Sequence, residues 1–158
     1  MRERKCRQMR GEVCYGKQGK VRWKIRGFKA LVEGVHDNVY VIPEYQRKYR
    51  WSKTQVEELA SSLIRELPIP PIYTYRNEKG QLEILDGQQR VMSLYFYYIG
   101  KFFKSKKKSG FDYQEIDVDS AGNFAAALEK KYELIPTDFL KILEMNAVIS
   151  AIVIFRLN

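Results

Sequence analysis

Histidine and cysteine are nearly missing from this sequence. There is one histidine, His36, and there are two cysteines, Cys6 and Cys14. The cysteine spacing matches no zinc or redox motif, and no cluster of His or Cys stands near either one. That argues against a zinc site. A nuclease of the His-Asn-His kind needs more histidines than the chain has. His36 sits in the polar stretch Val35-His36-Asp37-Asn38 and reads as an ordinary surface residue. Long apolar runs are missing as well. None reaches the ~18–20 residues that a membrane helix requires. The longest, Ala147 to Phe155, is strand length and includes Ser150. No apolar stretch follows the basic N-terminus, so no secretory signal is read, and the expected location is the cytoplasm.

What the sequence does have is ordinary globular composition with an uneven charge. Its 158 residues suit one domain with a core. Hydrophobic residues make up 45% and charged residues 30%, which rules out a disordered composition. The net charge is +9, and all of it sits in residues 1–29, where eleven Lys or Arg face only Glu3 and Glu12. Residues 30–158 balance. The expected organisation is therefore a basic, partly ordered arm over 1–29 and a single domain over 30–158. Such an arm is an electrostatic contact for nucleic acid, with Arg22, Lys24 and Arg26 as its candidate residues, or else a solvated tail. Lys104, Lys106, Lys107 and Lys108 read as a solvated loop.

Periodicity places the elements. Residues 1–20 have no period and are expected to be poorly ordered. Val21 to Ile25 alternates apolar with basic residues, a strand pattern. Lys29 to Val35 fits a helix or a strand. Val39 to Ile42 is a β-branched and aromatic run ended by Pro43, a strand. Ser52 and Gln55 form a capping box. The helix behind it carries Val56, Leu59, Ala60, Leu63, Ile64 and Leu67 on one face and is stopped by Pro68. Ile72 to Arg76 and Gln81 to Leu85 read as a hairpin around Asn77-Glu78-Lys79-Gly80. A helix follows with Val91, Leu94, Tyr95, Tyr98 and Ile99 on one face and Gly100 at its end. Residues 101–123 read as a long connection. Ala125 to Tyr132 and Thr137 to Leu143 read as helices, and Ala147 to Phe155 as a strand. The order predicts an α+β fold around one sheet.

The chemistry concentrates at the seam Asp86-Gly87-Gln88-Gln89-Arg90, between a strand and a helix. One reading is a cap: Asp86 as N-cap, Gln89 completing a box, Gly87 making the turn. Capping leaves Gln88 and Arg90 without a reason, and an Arg in the first turn opposes the helix dipole. The other reading is an anion site. A helix N-terminus presents free N–H groups, and Arg90 adds a forked cation suited to phosphate. Gly87 then lets the backbone approach, Gln88 and Gln89 donate amide hydrogen bonds, and Asp86 holds a metal ion beside the phosphates. A second stretch, Glu44-Tyr45-Gln46-Arg47-Lys48-Tyr49-Arg50-Trp51, interleaves cations with aromatics, as nucleotide and nucleic-acid surfaces do. The alternative is that its aromatics anchor a loop while the cations snorkel. If the sheet joins the two loops, three arginines converge on one pocket.

Three blocks in order carry a resemblance. They are Ile42-Pro43-Glu44-Tyr45-Gln46-Arg47-Lys48-Tyr49-Arg50-Trp51, then Pro68-Ile69-Pro70-Pro71-Ile72, then Asp86-Gly87-Gln88-Gln89-Arg90-Val91-Met92-Ser93-Leu94. Over roughly 39–157 the chain resembles the N-terminal domain of GmrSD-type modification-dependent restriction enzymes, within the wider ParB/sulfiredoxin-like superfamily. The resemblance implies a ParB-like α+β fold with a mixed sheet flanked by helices. It implies that the Asp86–Arg90 block binds or hydrolyses a nucleoside triphosphate with a divalent cation such as Mg2+, in a system that cuts or senses foreign DNA. Carried over by position, the nucleotide site is Gly87, Gln88, Gln89 and Arg90 with Tyr45, Gln46 and Arg47; Asp86 and Arg90 act in catalysis, and Asp86 holds the metal. Family members usually continue into a helical region and an HNH nuclease domain. This sequence has no room for either after Asn158, so a nuclease-bearing partner or further region is expected. The rival reading is a non-enzymatic DNA-binding module that grips the backbone with the arm, Lys48, Arg47 and Arg50. DNA nicking is a third and lesser one, since only Asp86 is placed for a metal.

Overall fold

The computed structural model describes residues 12–14, 20–104, 111–117, 121–137 and 152–157, with backbone alone at 12–14, 20–26 and 153. In chain order the strands are β1 (Glu12–Cys14), β2 (Lys20–Arg26), β3 (Tyr40–Val41), β4 (Ile72–Arg76), β5 (Leu82–Asp86), β6 (Lys101–Phe103), β7 (Leu134–Pro136) and β8 (Ile152–Leu157). The helices are α1 (Phe28–His36), α2 (Lys53–Ile64), α3 (Gln88–Ile99) and α4 (Phe124–Lys131), with a 3-10 turn at Tyr113–Glu115. The main sheet has the order β1-β2-β8-β4-β5-β3, and β6 and β7 form a separate pair. β8 and β4 are parallel, as are β3 and β5, while β1, β2 and β8 pair antiparallel and so do β4 and β5. The expected α+β fold with a mixed sheet and flanking helices is what the chain adopts.

One sheet face is apolar because alternate strand residues are Ile72 and Thr74, Ile84, and Ile152 and Ile154, all buried. They join one core with Leu31, Val32 and Val35 of α1, Val56 and Leu63 of α2, and Val91 and Leu94 of α3. Thr74 survives there because its hydroxyl donates to the Phe155 carbonyl at 3.0 Å. α3 packs against both α1 and α2. It is consequently buried almost all round: Met92, Ser93 and Phe96 are buried beside the expected stripe, while Tyr98, expected inside, is exposed. The opposite sheet face carries exposed Tyr73, Tyr75 and Leu157, with Tyr73 stacked on Phe155 at 5.2 Å.

Several boundaries differ from those expected. The run at Lys29 to Val35 is helical, and α1 crosses residue 29. Within the unperiodic first twenty residues, Glu12–Cys14 pairs with β2. The connection after residue 100 holds β6 and the 3-10 turn, because Phe103, Phe111 and Tyr113 are core residues. The final strand is described over Ile152–Leu157 and so runs two residues past Phe155; its expected start at residues 147–151 and the helix expected from Thr137 lie outside the described residues from 138 on. Also outside them are residues 1–11, most of the lysine cluster, and the side chains of Arg22, Lys24 and Arg26, whose backbones stand in register with Arg156, Ile154 and Ile152.

α2 starts as expected. The Ser52 side chain accepts from Gln55 N–H, and the Gln55 side chain accepts from Ser52 N–H at 2.9 Å. Its stop, however, is not Pro68. The helix ends at Ile64 with Glu66 in the left-handed region at φ 57°. Leu67 N–H donates to the Ser62 carbonyl at 2.9 Å and Glu66 N–H to the Leu63 carbonyl at 3.0 Å, the Schellman pattern. Leu67 is therefore turned out to solvent. A left-handed backbone costs a side-chain-bearing residue ~1–2 kcal/mol, partly offset in glycine by its freer unfolded state. Glu66→Gly should stabilise the domain by ~0.5–1 kcal/mol and raise its melting temperature by about 1–4 °C. A thermal melt showing no rise would mean that Glu66 makes a compensating contact.

Candidate functional site

Strand β5 carries the chain to Asp86, and Gly87 turns it into α3 with φ 97°. A Cβ on Gly87 would lie 3.1 Å from Ile72 Cγ1 and 3.1 Å from Arg90 Nη2, so any other residue here is strained by conformation and crowds both side chains. Gly87, not Asp86, occupies the N-cap position, and no side chain caps α3. The expected capping box at Asp86 and Gln89 therefore does not form. The physical reason is that both side chains are engaged elsewhere.

The glutamines hold the neighbouring loop. Gln88 and Gln89 are only 4% and 5% exposed. Gln88 Nε2 donates to the Arg47 carbonyl at 3.2 Å. Gln89 behaves like a strand partner: its Nε2 donates to the Lys48 carbonyl at 3.0 Å, and its Oε1 accepts from Arg50 N–H at 2.9 Å. Gln46 ties the loop to the sheet, donating to the Ile84 and Leu85 carbonyls at 3.0 and 3.1 Å. Tyr49 is the apolar anchor. It is fully buried, stacks on Phe111 at 5.2 Å, meets Phe96 edge-on, and hydrogen-bonds Ser93 at 2.8 Å. Its backbone bridges to Phe111 in both directions. Burial drives the Tyr49 phenol well above its usual range, only partly countered by Ser93. The side-chain amides assigned to a ligand by the sequence thus spend their observed hydrogen bonds within the protein, on the loop and, for the Gln88 oxygen, on Tyr113.

That loop brings Arg47 to Arg90. Gln46, Arg47, Trp51, Asp86, Gly87, Gln88, Gln89 and Arg90 line one open cavity of about 350 Å³ at the start of α3. Trp51, read in the sequence as one of the interleaved aromatics but not as a nucleotide-site residue, joins the lining. Arg50, expected as a third converging arginine, is exposed but does not line this cavity. Lys48 turns to Asp112 at 3.2 Å instead of to a shared surface with the arginines. The Asp112 carboxyl is held below its ordinary range by Gln114 N–H and then by Lys48. Tyr45 stands out from the loop at 67% exposure.

Arg90 is held by three acceptors. Its Nη1 donates to the Pro70 carbonyl, and its Nη2 donates to the Pro71 carbonyl at 3.3 Å and to Asp86 Oδ2 at 3.1 Å. The Pro70-Pro71 crossing can accept there because it belongs to no ladder. These partners offset the unfavourable end of the helix dipole. The Arg90 side chain is 12% exposed, against 68% for Asp86. A guanidinium so held still has donors to spare for an anion, since five N–H groups serve three acceptors. Among the described residues no three His, Cys, Asp or Glu gather to cage a metal. A cation at Asp86 would have one protein carboxylate, a donor set that suits Mg2+ only when phosphate oxygens and water complete the shell.

The arrangement defines an α+β domain with a mixed main sheet and an arginine-flanked cavity at a strand–helix seam. The family model of the N-terminal domain of the GmrSD restriction endonuclease matches residues 28–152, and the chain belongs to that family. It is thus a domain of the kind found in a restriction protein. Neither a curated protein nor a solved structure matches. No helix among the described residues is long and apolar enough to cross a membrane.

If the glutamines moor the loop, losing one should show as stability. Gln89→Leu strips partners from two backbone groups at once and should cost about 1–3 kcal/mol in urea unfolding. An unchanged midpoint would mean that water replaces both bonds without loss.

Proposed function

We propose that the cavity at the start of α3 binds the phosphates of a nucleoside triphosphate, and that the domain is the nucleotide-dependent part of a bacterial DNA-restriction system. The observation that carries this reading is the meeting of Arg47, Arg90 and an uncapped helix N-terminus around one cavity. First-turn N–H groups and the helix dipole favour an anion. One guanidinium comes from the loop before α2 and the other from the first turn of α3, and Trp51 offers a flat wall beside them. In this reading Arg90 and the N–H groups take the outer phosphates, and Arg47 closes on them from the opposite side. Tyr45 and Gln46 flank that loop, Gln46 by holding it in place. Asp86 orients Mg2+ or a water, and hydrolysis follows if that water is aligned. Kinship with ParB-like nucleotide-binding folds, a cytoplasmic location and a partner chain or region bearing the nuclease belong to the same proposal.

Isothermal titration with GTP, CTP, UTP and ATP in the presence of magnesium tests it. At least one should bind. Arg47→Ala and Arg90→Ala should each weaken it by about 10- to 100-fold, the range for a charged hydrogen bond. No binding by the wild type, or full binding by Arg90→Ala, overturns the reading.

A second reading is supported by the exposed Arg47 and Arg50 and by the net charge of +9: the domain grips DNA backbone without chemistry. Deleting residues 1–29 would be a poor test, because β2 is part of the sheet. Replacing Arg47 and Arg50 with Gln is a better one. Duplex binding followed against salt should lose about one unit of log–log slope per phosphate contact removed. An unchanged slope removes these arginines from any DNA contact.

A further inference from the structure

We infer that Tyr113, far from the seam in sequence, is a positioning residue for the cavity: its hydroxyl orients the Gln88 amide, and through that amide it holds Arg47 at the wall. The inference rests on the phosphate-binding reading above. Tyr113 OH donates to Gln88 Oε1, and Gln88 Nε2 donates to the Arg47 carbonyl at 3.2 Å. The direction of this chain is fixed at its far end. A backbone carbonyl only accepts, so the Gln88 NH2 must face Arg47 and its oxygen must face Tyr113. A hydroxyl can donate to that oxygen; a phenyl ring cannot.

The hydroxyl matters because packing alone does not hold the ring on every side. One side of Tyr113 meets Phe111 edge-on at 5.0 Å. Another borders a second cavity of about 230 Å³, whose walls include Ile42, Pro43, Ile116 and Phe124. Tyr113 and Gln88 are 3% and 4% exposed, so the bond between them is shielded from bulk water. Burial also keeps the phenol protonated, raising it well above its ordinary value, with Tyr49 adding to the rise and Arg47 opposing it. The donor is present throughout the pH range of ordinary assays. Without it the Gln88 amide is free to turn, the Arg47 carbonyl loses its fixed donor, and the exposed guanidinium loses its aim.

A double-mutant cycle separates positioning from mere stability. The ligand is the magnesium complex of whichever of GTP, CTP, UTP and ATP the wild type binds, and the readout is its affinity. Tyr113→Phe should weaken binding about fivefold to tenfold in the wild type but leave it unchanged in an Arg47→Ala background, a coupling of the size contacting residues show. A structural role would weaken both backgrounds equally, and that outcome overturns the inference while leaving the phosphate reading intact. Absence of binding by the wild type overturns both. Should Tyr113→Phe fail to melt cooperatively, Gln88→Glu serves instead. Its ionised carboxylate can accept from Tyr113 but cannot donate to Arg47. Affinity should then be low at pH 8 and recover toward pH 5 as the introduced carboxyl gains a proton, and this recovery should vanish in the Arg47→Ala background; a recovery kept there reports direct repulsion of phosphate and overturns the inference. A flat profile overturns the inference.

Discussion

Backbone groups that belong to no ladder must still find partners, and at the centre of this domain that obligation falls on residues 46–50. The segment joins no strand beyond the Tyr49–Phe111 bridge. Its carbonyls and N–H groups are met by side chains from the first turn of α3, chiefly Gln88 and Gln89. Net, each bond is worth ~0.5–1.5 kcal/mol, yet leaving one unmade where water is excluded costs more. The loop and the helix start therefore form one unit. Moving either would break several bonds at once.

This removes the capping reading of the seam. Capping and anion binding compete for the same first-turn N–H groups. In this structure the side chains that would cap are drawn away, Asp86 to Arg90 and Gln89 to the loop. Gly87 makes the turn without offering a cap. The helix start is left to the cavity because its natural blockers are occupied. Arg90 then sits at the positive end of a dipole, a position that needs acceptors nearby. A largely exposed Asp86 supplies little of that compensation on its own. The Pro70 and Pro71 carbonyls, fixed by a stiff crossing, supply the rest and set the direction of the guanidinium.

How far this could be read from residues depended on whether the signal was local. The Ser52 box, the β4–β5 hairpin and the glycine at the end of α3 are written within a few residues of each other, and they form. The seam also announced itself locally, through an Arg where a helix does not want one. What stayed hidden depends on distant partners. Nothing near Gln88 and Gln89 says that their amides will meet carbonyls about forty residues upstream. Nothing near Tyr113 marks it as different from the other tyrosines, because its role comes from a turn in a stretch without period. The stop of α2 was misplaced for another reason. Proline is a visible breaker, whereas a left-handed glutamate gives no advance sign.

The aromatic and basic stretch shows why anchoring a loop and presenting its cations are compatible. An exposed loop bearing several cations tends to be mobile, and a mobile guanidinium recognises little, since ordering it on binding costs side-chain entropy. Tyr49 removes that cost beforehand by sinking into an aromatic cluster, while Gln46 and the seam glutamines fix the backbone on either side. Anchoring is thus the condition for presenting Arg47, not an alternative to it. Lys48 illustrates the converse: held on the same rigid loop, it is turned to Asp112 and away from the cavity. Which cation reaches the cavity is decided by the register of the anchor, one tyrosine in the core and the arginine two residues before it at the cavity wall.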